Sequence, residues 1–283
     1  MIFINGWWKG GFLMSALRDL TRYPWRKGIA AFTQGKDLFL SVPFTWLLEE
    51  ANEIAALWPE TTYIGGPALM RPNEIEPMSP ISLHNPFATF TTRGCPNHCA
   101  FCAVPKLEPT FKEIENFKPA PIICDNNLLA ASNKHLLRVV DASRHFYEVD
   151  FNQGFEARRF TTTKADILSA LNCKVRFAFD HVNDETPLKD AIDLCKKRVT
   201  KKIGVYVLIG FNDTPEDARY RLDKVRGWGI LPNPMRFQPL NAKKKNAYVG
   251  KNWPEAELKK MMRYYSRLIY TSKIPNEEFR NVR

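Results

Sequence analysis

The sequence lacks any apolar run of membrane-spanning length. Its longest purely apolar stretches, such as 205–209, fall far short of the ~20 residues a spanning helix needs. No membrane partner is expected. It also lacks a basic n-region ahead of the apolar start at 1–20, which makes that start a poor signal peptide. Cysteine is scarce. Six in 283 residues is too few for a disulfide scaffold, and three of the six lie within eight residues. That pattern reads as metal binding in a reducing cytoplasm. Acidic residues are outnumbered, 30 Asp and Glu against 41 Lys and Arg, a formal charge of +11. The bias is compatible with nucleic acid or another polyanion as partner without requiring one. No repeat of fixed period and no low-complexity tract occurs. With 45% hydrophobic and 25% charged residues, disordered and collagen-like classes are excluded. One large domain or two small ones remain.

Two regions are expected, 1–84 and 85–283. In the first, 38–42 reads as a strand, 45–57 as a helix and 62–64 as a second strand ended by Gly65-Gly66-Pro67. Leu47, Leu48, Ala51, Ile54, Ala55 and Leu57 fall close to a 3.6 period. The unit is βαβ, whose usual outcome is parallel pairing. Residues 71–86, with Pro and Asn, read as a linker.

From residue 87 strands and helices alternate. Strands are expected at 88–92, 121–125, 148–152, 174–180, 202–211 and 235–239. Helices are expected at 133–144, 164–171, 187–197, 215–228 and 255–271. Such alternation means an α/β fold with a parallel sheet buried by helices, either doubly wound or curled into a barrel. Polar residues gather past the strand ends: Asp125-Asn126-Asn127, Gln153, Glu156, Asp180-His181, Asn212-Asp213 and Gln238. Parallel barrels build their sites there. Helix caps and turns account for the same residues singly, Asn212-Asp213-Thr214 before Pro215 above all.

The segment from Thr91 to Cys102 is the most informative. Cys95, Cys99 and Cys102 form C-x3-C-x2-C. Soft thiolates at this spacing select an iron–sulfur cluster or zinc. An ordinary [4Fe–4S] centre takes four cysteines, and here no fourth lies nearby, which leaves one iron open to an external ligand. Zinc would need His98 as a further ligand, but His98 and Cys99 are adjacent and their side chains diverge. Three free thiols placed by chance are the remaining alternative. Cys124, Cys173 and Cys195 form no C-x2-C pair and read as buried structural thiols, with Cys124 of interest beside Asp125.

Cys95, Cys99 and Cys102, with Phe101 before the third cysteine, resemble the signature of the radical S-adenosylmethionine (radical SAM) superfamily. The β/α units of 85–283 are similar to its partial (β/α)6, TIM-barrel-like fold. Val207 to Asp217 resembles the fifth-strand segment of methylthiotransferase-like and cobalamin-type members. The βαβ unit ending at Gly65-Gly66-Pro67 resembles the tail of a cobalamin-binding domain. The Asp-x-His-x-x-Gly stretch that ligates cobalt there is missing, however, and 1–84 is short for the full domain. A truncated Rossmann-like segment is therefore expected, with cobalamin binding doubtful. The whole resembles a compact member of the phage and bacterial type.

The resemblance implies a [4Fe–4S] cluster on Cys95, Cys99 and Cys102, and S-adenosylmethionine bound at its open iron. An electron donor such as flavodoxin or ferredoxin would reduce it. It implies roles by position around the barrel. Phe101 would lie near adenine or pack the cluster loop. Asp125, Asn126 and Asn127 stand where the family's Gly-Gly-Glu binds the methionyl amine. Gln153 and Glu156 follow the third strand, and Arg158 would pair with the cofactor carboxylate or, alternatively, with Glu156 at the surface. Asp180 would meet ribose hydroxyls, Ile209 and Gly210 would pass backbone beside adenine, and Arg236, Phe237 and Gln238 would close the pocket.

Residues 241–283 hold eleven Lys and Arg against four Glu, including Lys243-Lys244-Lys245. Basic residues interleaved with Tyr264, Tyr265 and Tyr270 suit nucleic acid by phosphate contact and stacking. Tyrosines packed on the barrel account for the same pattern. The expected function is a cytoplasmic radical SAM enzyme of unassigned substrate, with nucleic acid among the candidates. The alternative is a non-catalytic iron–sulfur or zinc protein that binds nucleic acid.

Overall fold

The computed structural model describes residues 25–26, 28–69 and 80–268. Expectations at 1–20, 71–79 and Tyr270 lie outside these residues. The chain divides into two compact units. The first is Met1–Asn152 with Leu240–Lys243, and the second is Gln153–Pro239 with Lys244–Arg283.

The first unit opens with a three-stranded sheet: β1 (Ala30–Gln34), β2 (Asp37–Ser41) and β3 (Thr62–Gly65), in the order β1-β2-β3. β2 and β3 are parallel, joined through helix α1 (Leu48–Leu57). β1 is an antiparallel addition that sequence periodicity does not reveal. Leu38 and Leu40 alternate on the face that packs with Ala51, Ile54 and Trp58. Phe32, Phe39 and Tyr63 stack across the strands at 4.7 Å on the other face.

A short helix, α2 (Pro80–His84), lies inside the expected linker. The first strand of the large sheet is β4 (Ala88–Thr89). The chain then departs into an antiparallel pair, β5 (Thr92–Arg93) and β6 (Lys112–Glu113), with helix α3 (Val104–Leu107) between them. It returns at β7 (Ile122–Ile123), parallel to β4. The expected strand at 88–92 is thus broken. The Thr91 amide donates to the Asp125 carboxylate at 2.5 Å and leaves the ladder.

Starting with β7, five β/α repeats follow: α4 (Asn133–Ser143), β8 (Val149–Phe155), α5 (Thr162–Leu168), β9 (Cys173–Ala178), α6 (Glu185–Arg198), β10 (Ile203–Ile209), α7 (Pro215–Gly227), β11 (Leu231–Arg236) and α8 (Glu255–Ser266). Local chemistry sets their starts. Ser132 caps α4 by accepting from the His135 amide, and Thr214 and Asp217 form a reciprocal capping box on α7 with Pro215 in the first turn. The six strands run in the order β11-β10-β9-β8-β7-β4. Neighbours follow chain order without a reversal, so the sheet is singly wound; a doubly wound sheet reverses at a switch point. The chain is therefore an α/β protein with a six-stranded parallel sheet flanked by helices.

β11 starts four residues earlier than expected, because Pro232 and Pro234 look like strand breakers. It is an edge strand. Phe237 donates its amide to Ile209 of β10 at 2.9 Å. The period of two then turns the odd positions toward β10 and both prolines away from it, where no amide proton is needed. No helix among the described residues is long and apolar enough to cross a membrane.

Candidate functional site

The cysteine loop is built on the neck formed by β5 and β6. Thr92 pairs with Glu113 and Arg93 with Lys112, which closes residues 94–111 into one excursion. Gly94 adopts φ 73°, and a Cβ there would stand 2.2 Å from the Thr110 carbonyl oxygen. Only glycine fits this turn.

Glu108 is the hub of the neck. One carboxylate oxygen pairs with Arg93, and the other accepts from the Gly94 amide at 3.0 Å and from Asn126 Nδ2 at 3.2 Å. Both members of the Arg93–Glu108 pair are about 10% exposed. Burial lowers the Arg93 pKa and Glu108 opposes the shift. The guanidinium also lies 3.8 Å above the Phe90 ring.

Asp125 is not a free ligand. It is buried, and its carboxylate accepts from the Thr91 amide, the Thr91 hydroxyl and the Thr92 amide. Burial pushes its carboxyl up to about 6, against those hydrogen bonds. Its contacts tie the end of β7 to the entry of the cysteine loop. Asn126 joins Glu108 instead. Asn127 reaches the thiols: its Nδ2 donates to Cys95 Sγ at 3.4 Å.

The three motif thiols differ from the other three. Cys95 and Cys102 are half-buried and Cys99 is exposed, whereas Cys124, Cys173 and Cys195 are buried. The Asn97 amide donates to Cys95 Sγ and the Val104 amide to Cys102 Sγ, both at 3.4 Å. The Cys102 amide donates to the Cys99 carbonyl at 3.0 Å, which turns the loop. Phe101 is half-buried in this turn. Cys124 belongs to the core cluster with Ala88 and Ile122, and Cys195 is pushed up to about 11 by burial, as expected of structural thiols.

Among the described residues, no three His, Cys, Asp or Glu side chains converge closely enough to hold a metal ion as they stand. The donor set still fits a thiophilic cluster. Three accessible sulfurs share one short loop, and N–H groups already point at two of them, the arrangement that stabilises a metal-bound thiolate.

No protein-family model, curated protein or solved structure matches the chain.

The remaining expected residues lie in the second unit at or near the ends of β8 to β11. Gln153 is exposed and lies within β8, which runs on to Phe155, not past its end. Glu156 binds Arg159 Nε at 2.7 Å, and Arg158 pairs with Asp184 while 63% exposed. The surface pairing expected between Glu156 and Arg158 is thus replaced by two others, because the helical turn 157–159 points the two arginines apart. Asp180 is pushed up to about 6 by burial, with Arg221 opposing. Ile209 is fully buried. Gly210 has φ 81°, and its Cβ position lies 3.1 Å from Leu258 Cδ1, so its close approach is to α8. Gln238 Oε1 accepts from the Asn246 amide at 2.7 Å. Asp213 accepts from Gly210, Phe211 and Trp253 and pairs with Arg221, the structural outcome of its two readings. Tyr264 and Tyr265 are buried, with the Tyr265 hydroxyl on Asp223, and Lys243 to Lys245 are exposed.

Three important residues escaped the sequence reading. Glu108 and Arg93 carry no local signature, since their pairing spans fifteen residues of loop. Arg221 did have one. It sits on the buried stripe of α7 with Ala218, Leu222 and Val225, where a charge demands partners. It donates to the carbonyls of Phe179, Asp180 and Leu208.

Proposed function

We propose that the chain is a radical SAM enzyme in which Cys95, Cys99 and Cys102 hold a [4Fe–4S] cluster, with flavodoxin or ferredoxin as electron donor. The observation that carries the reading is the cysteine loop itself. Three accessible thiols in C-x3-C-x2-C follow the first strand of a singly wound parallel sheet, and N–H donors meet two of them. The chain-ordered sheet also suits a partial (β/α)6 barrel, with its sites at the C-terminal strand ends.

When bound, the cluster supplies an electron for reductive cleavage of S-adenosylmethionine to methionine and a 5′-deoxyadenosyl radical, which abstracts hydrogen from substrate. The chain's own residues prepare the site. Asn127 and the amides of Asn97 and Val104 donate to the sulfurs of Cys95 and Cys102 and so hold them in place. Glu108 locks the loop neck through Arg93, Gly94 and Asn126. Asp125 anchors Thr91 and Thr92 and so fixes where the loop leaves the sheet. These contacts fix the neck of the loop, and the three thiols draw together on it when the cluster binds.

Anaerobic reconstitution with iron and sulfide tests the proposal. The protein is expected to take up about four irons per chain and turn brown, and to release 5′-deoxyadenosine from S-adenosylmethionine under reduction. Cys95→Ala, Cys99→Ala and Cys102→Ala should each lose the chromophore, while Cys173→Ala keeps it. Stoichiometric zinc without sulfide would overturn the cluster. A stable cluster that never cleaves S-adenosylmethionine would leave a non-catalytic cluster protein.

A further inference from the structure

A second place in the molecule gathers chemistry that the cluster site does not use. It lies wholly in the second unit. An open cleft of about 590 Å³ is lined by Arg236, Asn246, Glu255, Lys259 and Arg263, among others. Arg236 is the last residue of β11. Glu255, Lys259 and Arg263 recur every four residues along α8 and so share one stripe of that helix. Three cations therefore face the cleft against one carboxylate. That carboxylate is engaged, since Glu255 binds Lys259 Nζ at 2.6 Å.

Arg236 is the unusual member. Its Nη2 donates to the Tyr248 carbonyl at 2.6 Å, which holds the guanidinium in place. Its Nε is buried and has no hydrogen-bond partner among the described residues. Burial lowers its pKa. The guanidinium is thus held by a neutral carbonyl at the end of β11, and its charge is left to serve an oxyanion in the cleft.

The charge also continues beyond the cleft. Between Lys244 and Leu268 there are seven Lys and Arg against two Glu. Lys244 and Lys245 are exposed beside Asn246. A single phosphate would meet the cleft but not this extension; a chain of phosphates meets both. An open cleft of this volume takes the backbone of one strand within it, not the body of a duplex.

We propose that this cleft binds the phosphodiester backbone of a single-stranded nucleic acid, with Arg236, Lys259 and Arg263 as the phosphate contacts. The inference goes beyond the cluster reading and does not depend on it, because binding is measured whether or not iron is present.

The test is fluorescence anisotropy of the full chain with a labelled single-stranded RNA of about twelve nucleotides, a length within the usual range of single-strand sites. Binding at low salt should weaken as salt rises, with log K falling by about 0.7 per decade for each phosphate contact. Arg236→Gln, Lys259→Gln and Arg263→Gln should each weaken binding severalfold and flatten that slope by about 0.7. Glu255→Gln should tighten it. Lys36→Gln, at an exposed lysine of the first unit, should change nothing. Circular dichroism checks that each variant is folded. If Arg236→Gln fails to fold, Lys259→Gln and Glu255→Gln, both at exposed positions of α8, still decide the matter. The proposal is overturned if no RNA binds at low salt, or if folded Lys259→Gln and Arg263→Gln bind as the parent does. It is overturned equally if inorganic phosphate competes as strongly as the RNA, which would mark a small-anion pocket.

Discussion

Replacing Glu108 by Ala removes the hub of the loop neck, and its cost can be worked from the contacts. Surface ion pairs contribute ~0–1 kcal/mol. The Arg93–Glu108 pair is not of that kind, for both side chains are about 10% exposed. Breaking a buried pair from one side costs about 3–5 kcal/mol, because the other charge stays behind without compensation. The Gly94 amide and Asn126 also lose their acceptor. Unmet buried donors cost about 1–3 kcal/mol each, but groups that share one partner do not add. The expected loss is therefore about 3–5 kcal/mol in the first unit. Urea unfolding followed by circular dichroism measures it. Hydrogen exchange of a peptide covering 93–113 shows where it falls, and that peptide should exchange much faster than β9 or β10. Arg158→Ala is the comparison. Arg158 is 63% exposed in its pair with Asp184, so under ~1 kcal/mol should be lost. If Glu108→Ala unfolds within ~1 kcal/mol of the parent, and the loop exchanges at the parent's rate, the neck is not held by Glu108 and the account of the loop fails.

Two further outcomes are expected. Gly94→Ala should disorder the cysteine loop or abolish soluble expression, since its Cβ would stand 2.2 Å from a backbone oxygen at φ 73°, while Gly28→Ala, with nothing within 4 Å, should behave as the parent; equal iron uptake by the two variants would refute this. Asp125 gives a pH signature. Its folded carboxyl is raised to about 6 from an ordinary 3.8, so stability is full below about pH 4 and falls as pH rises through about 6, by about 3 kcal/mol, because the unfolded chain releases its proton first. Asp125→Asn keeps an acceptor for the two amides and should lack this slope. Asp180, raised for the same reason, is present in both proteins and cancels. Parallel urea midpoints for parent and variant across that range would show that Asp125 is not the group responsible.

Much of the α/β order was determined by the sequence by itself, because its signals are local. The helices α4, α6 and α7 came within two residues at each end: their apolar stripes at 3.6 residues, the Ser132 and Thr214 caps of α4 and α7, and the prolines in the first turns of α6 and α7 are written within a dozen neighbours. The C-x3-C-x2-C spacing was likewise legible, because all three cysteines lie within eight residues. Tertiary structure alone decided the rest. Chain-ordered strands, and hence a singly wound sheet, depend on which edges meet, and periodicity does not record that. Pro232 and Pro234 look like breakers until β11 is known to be an edge. Asp125 reads in the sequence as a lone carboxylate at a strand end, and only the fold brings Thr91, thirty-four residues earlier, onto it. Glu108, Arg93 and Asn126 meet across separations of fifteen and eighteen residues, and Arg221 meets Phe179 across forty-two. Buried charges find partners wherever the fold brings an oxygen or a nitrogen into reach. That placement is a property of the packed chain, and no window of sequence contains it.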